Sequence, residues 1–357
     1  MRVEDQSSVL GRTLAANVAA SLAEEDPTVT TNAPLNLPFT GIQSFFKYPV
    51  AVDLERFDAD VGILGIPLDV STQYRPGARF GPRGIRESSS LFAIGPDGAY
   101  DPERDETYLG PPWRIVDCGD VDVITADLDN SLDNVREAAR RIVAAGGMIV
   151  GVGGDHSVTI PILQALEERG PFGIIQFDAH LDFTDERGGQ RNSQSSPIRR
   201  ASEMDHVTKI AQLGIRGTGS SSRKDFADAR AYGSVIMGPA MIREQGIEKT
   251  MDMIPDCERY YVTIDCDGID PSIARGTGTP SPGGFTYEEM QAMLEKIANR
   301  AEIVGFDFTE VAPIYDPSEL TTQISARIIL DFIGFILKAR ERRGDLPKRA
   351  KTAALPS

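Results

Sequence analysis

Short runs of apolar residues recur along the chain and alternate with longer segments whose apolar positions follow a helical period. The runs are rich in Val, Ile, Phe and Tyr, which is typical of strands buried on both faces of a parallel sheet. They predict strands at 60–66, 114–118, 147–152, 172–178, 207–213, 258–264 and 302–308. The intervening segments predict helices at 82–92, 129–146, 157–169, 240–249, 285–300 and 319–341. This alternation predicts an α/β fold in which helices cover both faces of a mostly parallel sheet.

The two ends of the chain differ in pattern from its middle. Residues 1–38 carry an apolar stripe that includes Leu10 and Leu14, followed by a segment rich in Pro, Thr and Asn. We interpret them as an N-terminal arm that packs on a neighbouring subunit. Residues 346–357 are expected to form a frayed tail. One domain is therefore predicted over 39–345, and no apolar stretch approaches the roughly 18 residues of a membrane-spanning helix.

Three strings of acidic and histidine residues directly follow predicted strands. They are Gly153-Gly154-Asp155-His156-Ser157, Asp178-Ala179-His180-Leu181-Asp182 and Asp265-Cys266-Asp267-Gly268-Ile269-Asp270-Pro271. Because ligands bind at the carboxyl ends of strands in open α/β sheets, the strings lie where a site is expected. The chain has only three histidines, and two of them fall within these strings. Scarce histidine among carboxylates indicates a metal site.

The spacing within the strings indicates which side chains share a face. Asp178, His180 and Asp182 alternate by two at a strand end, which places them on one side. The candidate ligands are His156, Asp178, His180, Asp182, Asp265 and Asp267. Their nitrogen and oxygen donors suit Mn, Ni, Zn or Fe, and so many carboxylates suit two ions with shared aspartates. Two ions ~3.5–4 Å apart lower the pKa of a shared water, which prepares it to attack an electrophilic carbon.

Other residues in or near the strings are expected to be structural. Asp155 is interpreted as a helix cap or turn residue, and Asp270 as a turn residue. Cys266 is expected to pack in the core, because strand alternation points it away from the neighbouring aspartates. His206, the third histidine, is expected at the surface.

Composition narrows the class of partner. The net charge is −16 and the sequence pI is about 4.7, which argues against nucleic-acid binding, since that needs a basic face. An acidic chain instead favours small cationic ligands near a cleft. The three cysteines show no CxxC spacing, so we expect no disulfide framework and a reducing, cytoplasmic location.

The three strings, in this order and spacing, resemble the ureohydrolase family, and in particular its agmatinase-like branch. The similarity extends to the segments at 75–83 (RPGARFGPR), 276–280 (GTGTP) and 306–311 (FDFTEV), and it covers about Phe39 to Ala339. The resemblance implies a three-layer α/β/α domain over 39–345 with a mostly parallel sheet of about eight strands. It also implies a homo- or hetero-oligomer, either a trimer or a hexamer.

The resemblance further implies roles for individual residues. One divalent ion, Mn or Ni, would be held by His156, Asp178, Asp182 and Asp265, and a second by His180, Asp178, Asp265 and Asp267. Asp178 and Asp265 would bridge the two ions, and Asp182 would also orient the water between them. Glu310 matches the family's carboxylate that pairs with the substrate guanidinium, and a carboxylate accepting two parallel N–H bonds holds such a planar cation well.

Two positions depart from the agmatinase pattern. Gln194 stands where a histidine is expected, and an amide can bind substrate but cannot deliver a net proton. Ser281 replaces a glutamate that is common after GTGTP, which suits a substrate without agmatine's distal ammonium. Arg75, Arg79 and Arg83 are open to two interpretations, substrate-carboxylate binding or structural pairing, and the second is favoured.

Together these features predict a binuclear-metal hydrolase that cleaves a guanidino C–N bond and releases urea or a urea-like product. The expected substrate is a small cationic guanidino compound: guanidine, a guanidino acid, a biguanide such as an N-alkyl biguanide, or agmatine. The alternative is a non-catalytic or metal-holding partner subunit of a hetero-oligomeric ureohydrolase. The complete set of candidate ligands and Glu310 argue against that alternative, whereas Gln194 argues mildly for it.

Overall fold

The computed structural model describes residues 37–95 and 97–347. The predicted N-terminal arm and C-terminal tail lie outside these residues, apart from two residues at the inner end of each. The domain boundaries at 39 and 345 therefore stay predictions. Within the described part of the chain, strands and helices alternate as the sequence pattern indicates.

An eight-stranded sheet, in which every pairing is parallel, forms the core of the fold. The strands are β1 (Val61–Ile66), β2 (Ala99–Asp101), β3 (Glu106–Tyr108), β4 (Ile115–Asp120), β5 (Met148–Gly153), β6 (Phe172–Phe177), β7 (Val207–Leu213), β8 (Val235–Met237), β9 (Arg259–Asp265) and β10 (Glu302–Thr309). β2 and β3 form a separate antiparallel pair. The strands predicted from apolar runs are all present, which confirms the predicted parallel sheet. The runs do not predict β8, a short edge strand that is mostly half-buried.

Helices connect the strands and cover the sheet. They are α1 (Gly81–Ser89), α2 (Leu128–Ala144), α3 (Thr159–Ala165), α4 (Pro197–Ala201), α5 (Arg223–Tyr232), α6 (Pro239–Gln245), α7 (Ile247–Met253), α8 (Tyr287–Arg300) and α9 (Leu320–Arg343). The single helix predicted at 240–249 is wrong, because Gly246, at φ +84°, divides it into α6 and α7. The pattern also misses α5, which buries only Ala229 and is held at its start by a capping box between Ser222 and Asp225.

Two hydrophobic clusters occupy the two faces of the sheet. Successive residues of β5 alternate between them, so that Ile149 packs in one cluster and Val150 in the other. The cluster that contains Val150 includes apolar residues of α8 and α9, and the other includes apolar residues of α2 and α3. This arrangement confirms the predicted three-layer α/β/α architecture.

The longest helix, α9, is largely apolar. Its length and mean hydropathy of 1.5 over an 18-residue window would allow it to span a membrane, but 72% of that window is buried within the protein. Its buried face packs on α8, α1 and β10. A core helix of a large domain has these same properties.

The strand order explains how distant strings meet. The sheet runs β4-β1-β5-β10-β9-β6-β7-β8, so the strands that precede the three strings and Glu310 are four neighbours at its centre. All four run parallel, and their carboxyl ends lie at one edge of the sheet. The late strands β10 and β9 insert between β5 and β6, and such a change in strand order opens a crevice for ligands.

Candidate metal centre and substrate cavity

The sheet edge brings the six candidate ligands together. Most of them are almost completely buried, and His180 is the most exposed, at 28% of its side chain. Gly154 makes the close approach of the first string possible, since a Cβ there would lie only 1.7 Å from the carbonyl oxygen of Leu68. Buried carboxylates and imidazoles need partners or a cation to offset the loss of hydration. The candidate ligands therefore form a buried polar site at the sheet edge and not a solvent-exposed acidic patch.

His156 lies at the centre of one group of carboxylates. Its Nδ1 is 3.2 Å from Asp178 Oδ2, 2.9 Å from Asp182 Oδ2 and 3.3 Å from Asp265 Oδ2. The ligand atoms of His156, Asp178 and Asp182 are close enough to one another to hold a metal ion.

His180 forms the second group. Its Nδ1 is 3.0 Å from Asp267 Oδ2 and 3.6 Å from Asp178 Oδ1. The ligand atoms of Asp178, His180 and Asp267 are also close enough to hold an ion. Asp178 belongs to both groups and presents a different oxygen to each histidine, so it could contribute one oxygen to each group.

A buried hydrogen-bond chain fixes the orientation of His156. Thr263 donates its hydroxyl proton to Asp307 (2.6 Å), so its oxygen accepts from His156 Nε2 (2.8 Å). When the imidazole is neutral, this bond assigns the ring proton to Nε2 and leaves a lone pair on Nδ1. Metal-binding histidines commonly use their other ring N–H in this way.

The lone pair on His156 Nδ1 provides a test of whether the residues fit a metal. This nitrogen is fully buried and without a hydrogen-bond partner, although three carboxylate oxygens surround it. Lone pairs and anionic oxygens that face one another repel unless a positive charge lies among them, and either a proton on Nδ1 or a bound cation supplies that charge. The donor set of imidazole nitrogens and carboxylate oxygens suits a divalent transition metal, so the residues fit the predicted ions.

The protonation equilibria of the site reflect the same crowding. Burial and the charge of Asp178 raise the pKa of Asp182 to about 7. Burial, Asp267 and Asp178 together raise the pKa of Asp265 well above its ordinary value. Burial would lower the pKa of His156, but the nearby aspartates raise it well above its usual range. A positive charge bound within the cluster would lower all three of these raised pKa values.

Glu310 lies next to this cluster and is 5% exposed. Its Oε1 accepts a hydrogen bond from the backbone N–H of His156 at 2.9 Å. Burial and the charges of Asp265 and Asp155 raise the pKa of Glu310 well above its ordinary value. Glu310 has φ +63° and Asp182 has φ +51°, a left-handed conformation that costs free energy in residues other than glycine. Contacts elsewhere in the fold therefore hold Glu310 and Asp182 in backbone conformations that are unfavourable in isolation.

Gln194 contacts Glu310 directly. When its amide is oriented to satisfy both ends, Nε2 donates to Glu310 Oε1 at 3.2 Å and Oε1 accepts from the backbone N–H of Gln73 at 3.2 Å. The backbone N–H of Gln194 also donates to Ser71 Oγ at 2.8 Å. Gln194 is thus fixed at both its backbone and its side chain beside the carboxylate predicted to meet the substrate.

A cavity of about 340 Å³ opens over these groups. The residues that line it include Gln73, His180, Asp182, Arg187, Gln194 and Glu310. Asp182 and Glu310 are buried, whereas Gln73, Tyr74 and Arg187 are exposed. The cavity therefore has an acidic floor and a mouth that contains an arginine, and its volume is in the range of small-molecule sites.

Ser281 and the three loop arginines do not line this cavity. The carbonyl of Ser281 accepts a hydrogen bond from Arg216 at 2.6 Å, and its side chain is not among the lining groups. The prediction that position 281 affects the charge of the mouth therefore receives no support. Arg75 donates to the carbonyls of Thr277 and Gly278, and Arg79 pairs with buried Asp69, as the structural interpretation predicts.

Three of the four other structural predictions, those for Asp155, Cys266 and Asp270, agree with the structure. Asp155 caps a helical turn by accepting from the Ser157 N–H, and Cys266 is completely buried in the core. Asp270 accepts backbone bonds that close a turn. His206 is half-buried and so less exposed than expected: its Nε2–H donates to the carbonyl of Leu163 at 3.0 Å, and its ring packs on Phe172.

Several residues that orient the candidate ligands were not predicted from the sequence pattern. Gln176 donates to Asp178 Oδ2 at 2.6 Å and is held in turn by Gln212. Thr263 and Asp307 hold His156, as described above. Each of these polar residues lies within a strand of the central sheet and is completely buried. A polar residue at such a position indicates a buried partner, and that indication was present in the sequence.

Comparison with known proteins agrees with this architecture. The Arginase family model matches residues 59–334. An agmatinase of Bacillus subtilis (strain 168) is 35% identical over 295 residues, covering 81% of this chain and 97% of its own length. A mitochondrial guanidino acid hydrolase of Homo sapiens is 32% identical over 302 residues, covering 82% of each chain. The solved structure of proclavaminate amidinohydrolase from Streptomyces clavuligerus superposes with a TM-score of 0.74 at 30% identity, covering 85% of this chain and 99% of that one.

The chain belongs to the Arginase family. It is a hydrolase of the class that acts on C–N bonds of linear amidines, and its relatives include agmatinases and guanidino acid hydrolases. The predicted resemblance to ureohydrolases of the agmatinase-like branch is confirmed.

Proposed function

We propose that this chain is a binuclear-metal hydrolase that releases urea, or a urea-like product, from a small cationic guanidino compound. The main support is that two candidate metal groups, which share Asp178, lie at the floor of one cavity, which His180, Asp182 and the buried carboxylate of Glu310 line. An acidic pocket suits a guanidinium, and paired divalent ions suit the hydrolysis of its C–N bond.

The proposed ligands divide between the two histidines. One ion would be held by His156, Asp178, Asp182 and Asp265, and the other by His180, Asp178, Asp265 and Asp267. When bound, the ions lower the pKa of a shared water and stabilise negative charge that develops during hydrolysis. Asp182 would orient this water toward the guanidino carbon.

Glu310 and Gln194 would hold the guanidinium at the floor of the cavity. Glu310 would accept from N–H groups of the planar cation, and Gln194 would orient Glu310 through its Nε2–H. The amide oxygen of Gln194 accepts from Gln73 N–H and keeps a second lone pair for another N–H of the cation. This pairing would present the guanidino carbon to the ion-bearing side of the cavity, where His180 and Asp182 lie. Gln194 cannot supply a net proton, so its proposed role is binding and orientation.

We also propose Mn or Ni as the two ions, a trimeric or hexameric assembly and a cytoplasmic location. The imidazole and carboxylate donor set supports either metal. The three free cysteines, two of which are buried, support a reducing compartment.

A urea-release assay tests the proposal. The purified chain, loaded separately with Mn and with Ni, should release urea, or a urea-like product such as guanylurea from a biguanide, from at least one of guanidine, guanidino acids, biguanides and agmatine, and chelation should abolish the release. Release that survives complete chelation would contradict the metal mechanism. Activity that appears only after a paralogous chain is added would instead support the partner-subunit alternative.

Replacement of Gln194 by alanine is expected to lower kcat/KM on the best substrate by about tenfold, since a hydrogen bond to a charged group contributes about 1.5–3 kcal/mol. Gln194→His should lower activity on that substrate and raise activity on agmatine slightly. Gln164→Ala, at an exposed position of the α3 helix, is the control and should change nothing. If Gln194→Ala leaves kcat/KM unchanged for every guanidino compound, position 194 does not contact substrate.

A further inference from the structure

The mouth of the cavity contains an arginine that the proposed reaction does not use. Among the described residues that line the cavity, Arg187 is the only arginine or lysine. It is exposed, whereas the acidic groups of the floor are buried. The cavity thus has opposite charges at its two ends.

The backbone holds Arg187 in a defined position. Arg187 and Gln190 exchange two backbone hydrogen bonds, at 2.9 and 3.1 Å, around Gly188 and Gly189. These glycines have φ +61° and +83°, the left-handed values that a tight two-residue hairpin turn requires. Arg187 therefore lies at the start of a tight turn, residues 187–190, that has a defined backbone conformation.

The side chain of Arg187 is oriented without being neutralised. One Nη1 N–H donates to Gln73 Oε1, and Gln73 Nε2 donates to Ser195 Oγ at 3.2 Å. Arg187 makes no ion pair with any described residue, although the chain has 53 acidic and 37 basic residues. Arg191, in the same loop, pairs with Asp185 and Glu203. A guanidinium has five N–H donors, so Arg187 retains donors for a ligand.

We infer that Arg187 binds the carboxylate of an ω-guanidino acid whose guanidinium lies against Glu310, and that it makes guanidino acids the preferred substrate class. The inference rests on the proposed function. A guanidino acid carries a cation at one end and an anion at the other, which matches the acidic floor and the basic mouth. Arginine holds a carboxylate with two parallel hydrogen bonds, which lysine cannot do.

The same charge disfavours the other tailed substrates. The distal ammonium of agmatine would approach Arg187 as a like charge, and like charges at a site oppose binding. Guanidine has no tail and would not reach the mouth. Arg187 should therefore discriminate among substrates by the charge of the group distal to the guanidinium, and it should not affect the reacting end of the substrate.

Kinetics of Arg187→Gln test the inference. Among guanidinoacetate, 3-guanidinopropionate and 4-guanidinobutyrate, the best substrate should lose up to about fivefold in kcat/KM, mainly through a higher KM, because an exposed ion pair is modest in strength. The kinetics for guanidine should be unchanged, and kcat/KM for agmatine should be unchanged or higher. Arg187→Lys should restore part of the loss.

Arg191→Gln is the matched control, since it removes an exposed arginine of the same loop that does not line the cavity. It should leave all substrates unchanged. If the wild-type protein hydrolyses guanidine or agmatine better than every guanidino acid, or if Arg187→Gln affects guanidine and guanidino acids equally, the inference is overturned while the proposed function stands. If the metal-loaded protein releases neither urea nor a urea-like product from any guanidino compound, the proposed function fails, and the inference fails with it.

Discussion

Replacing Asp178 by alanine is expected to remove both ions and to lower urea release by on the order of a thousandfold or more. Asp178 is the residue common to both candidate groups, with one oxygen toward each histidine. Metal ions contribute several kcal/mol to such reactions, and each ~1.4 kcal/mol is a factor of ten in rate. Elemental analysis should fall from about two ions per chain to near none.

Asp267→Ala provides a graded comparison. Asp267 belongs only to the group around His180, so its loss should weaken one ion and leave the His156 group occupied. Asp270→Asn is the control, because Asp270 lies in the same acidic string but only closes a turn. It should keep both ions and full activity. An Asp178→Ala protein that retains two ions, or equal effects of the Asp178 and Asp267 substitutions, would contradict a bridging role for Asp178.

Local patterns allow much of this fold to be predicted, because apolar runs are the direct consequence of burial on both faces of a parallel sheet. They also place the three acidic strings at strand ends. They do not give the order of the strands: β10 and β9 lie between β5 and β6 although they come later in the chain. That order depends on non-local pairing, which no short window of sequence contains, and it determines that His156 and Asp178 meet.

The limits of prediction in the site have a similar cause. The candidate ligands are recognisable because two chemically distinctive residue types recur at a strand end. Arg187 is one of many arginines, and its position at the cavity mouth follows from a glycine hairpin and from Gln73, more than a hundred residues away in sequence. Conversely, Ser281 is predicted to lie near the substrate by resemblance alone, yet it does not line the cavity.

Replacing Glu310 by glutamine should lower kcat/KM for guanidino substrates by on the order of a hundredfold, while the content of bound ions stays the same. The substitution keeps the shape and the contacts with His156 N–H but removes the negative charge. A charge-assisted pair in a buried site contributes about 1.5–3 kcal/mol, and its loss leaves the guanidinium without a partner. Burial makes this carboxylate costly to ionise alone, so a substrate cation is the natural partner for its charge.

The control for this substitution is Glu319→Gln, because Glu319 also has a left-handed backbone, at φ +60°, but is exposed. It should leave kcat/KM unchanged. The separate measurement of bound metal distinguishes Glu310 from Asp178, since only the aspartate should affect both activity and metal content. A Glu310→Gln enzyme with near-normal kcat/KM would mean that another carboxylate of the cavity meets the guanidinium, and Asp182 would be the next residue to test, because it is the other buried carboxylate with a left-handed backbone on the cavity floor.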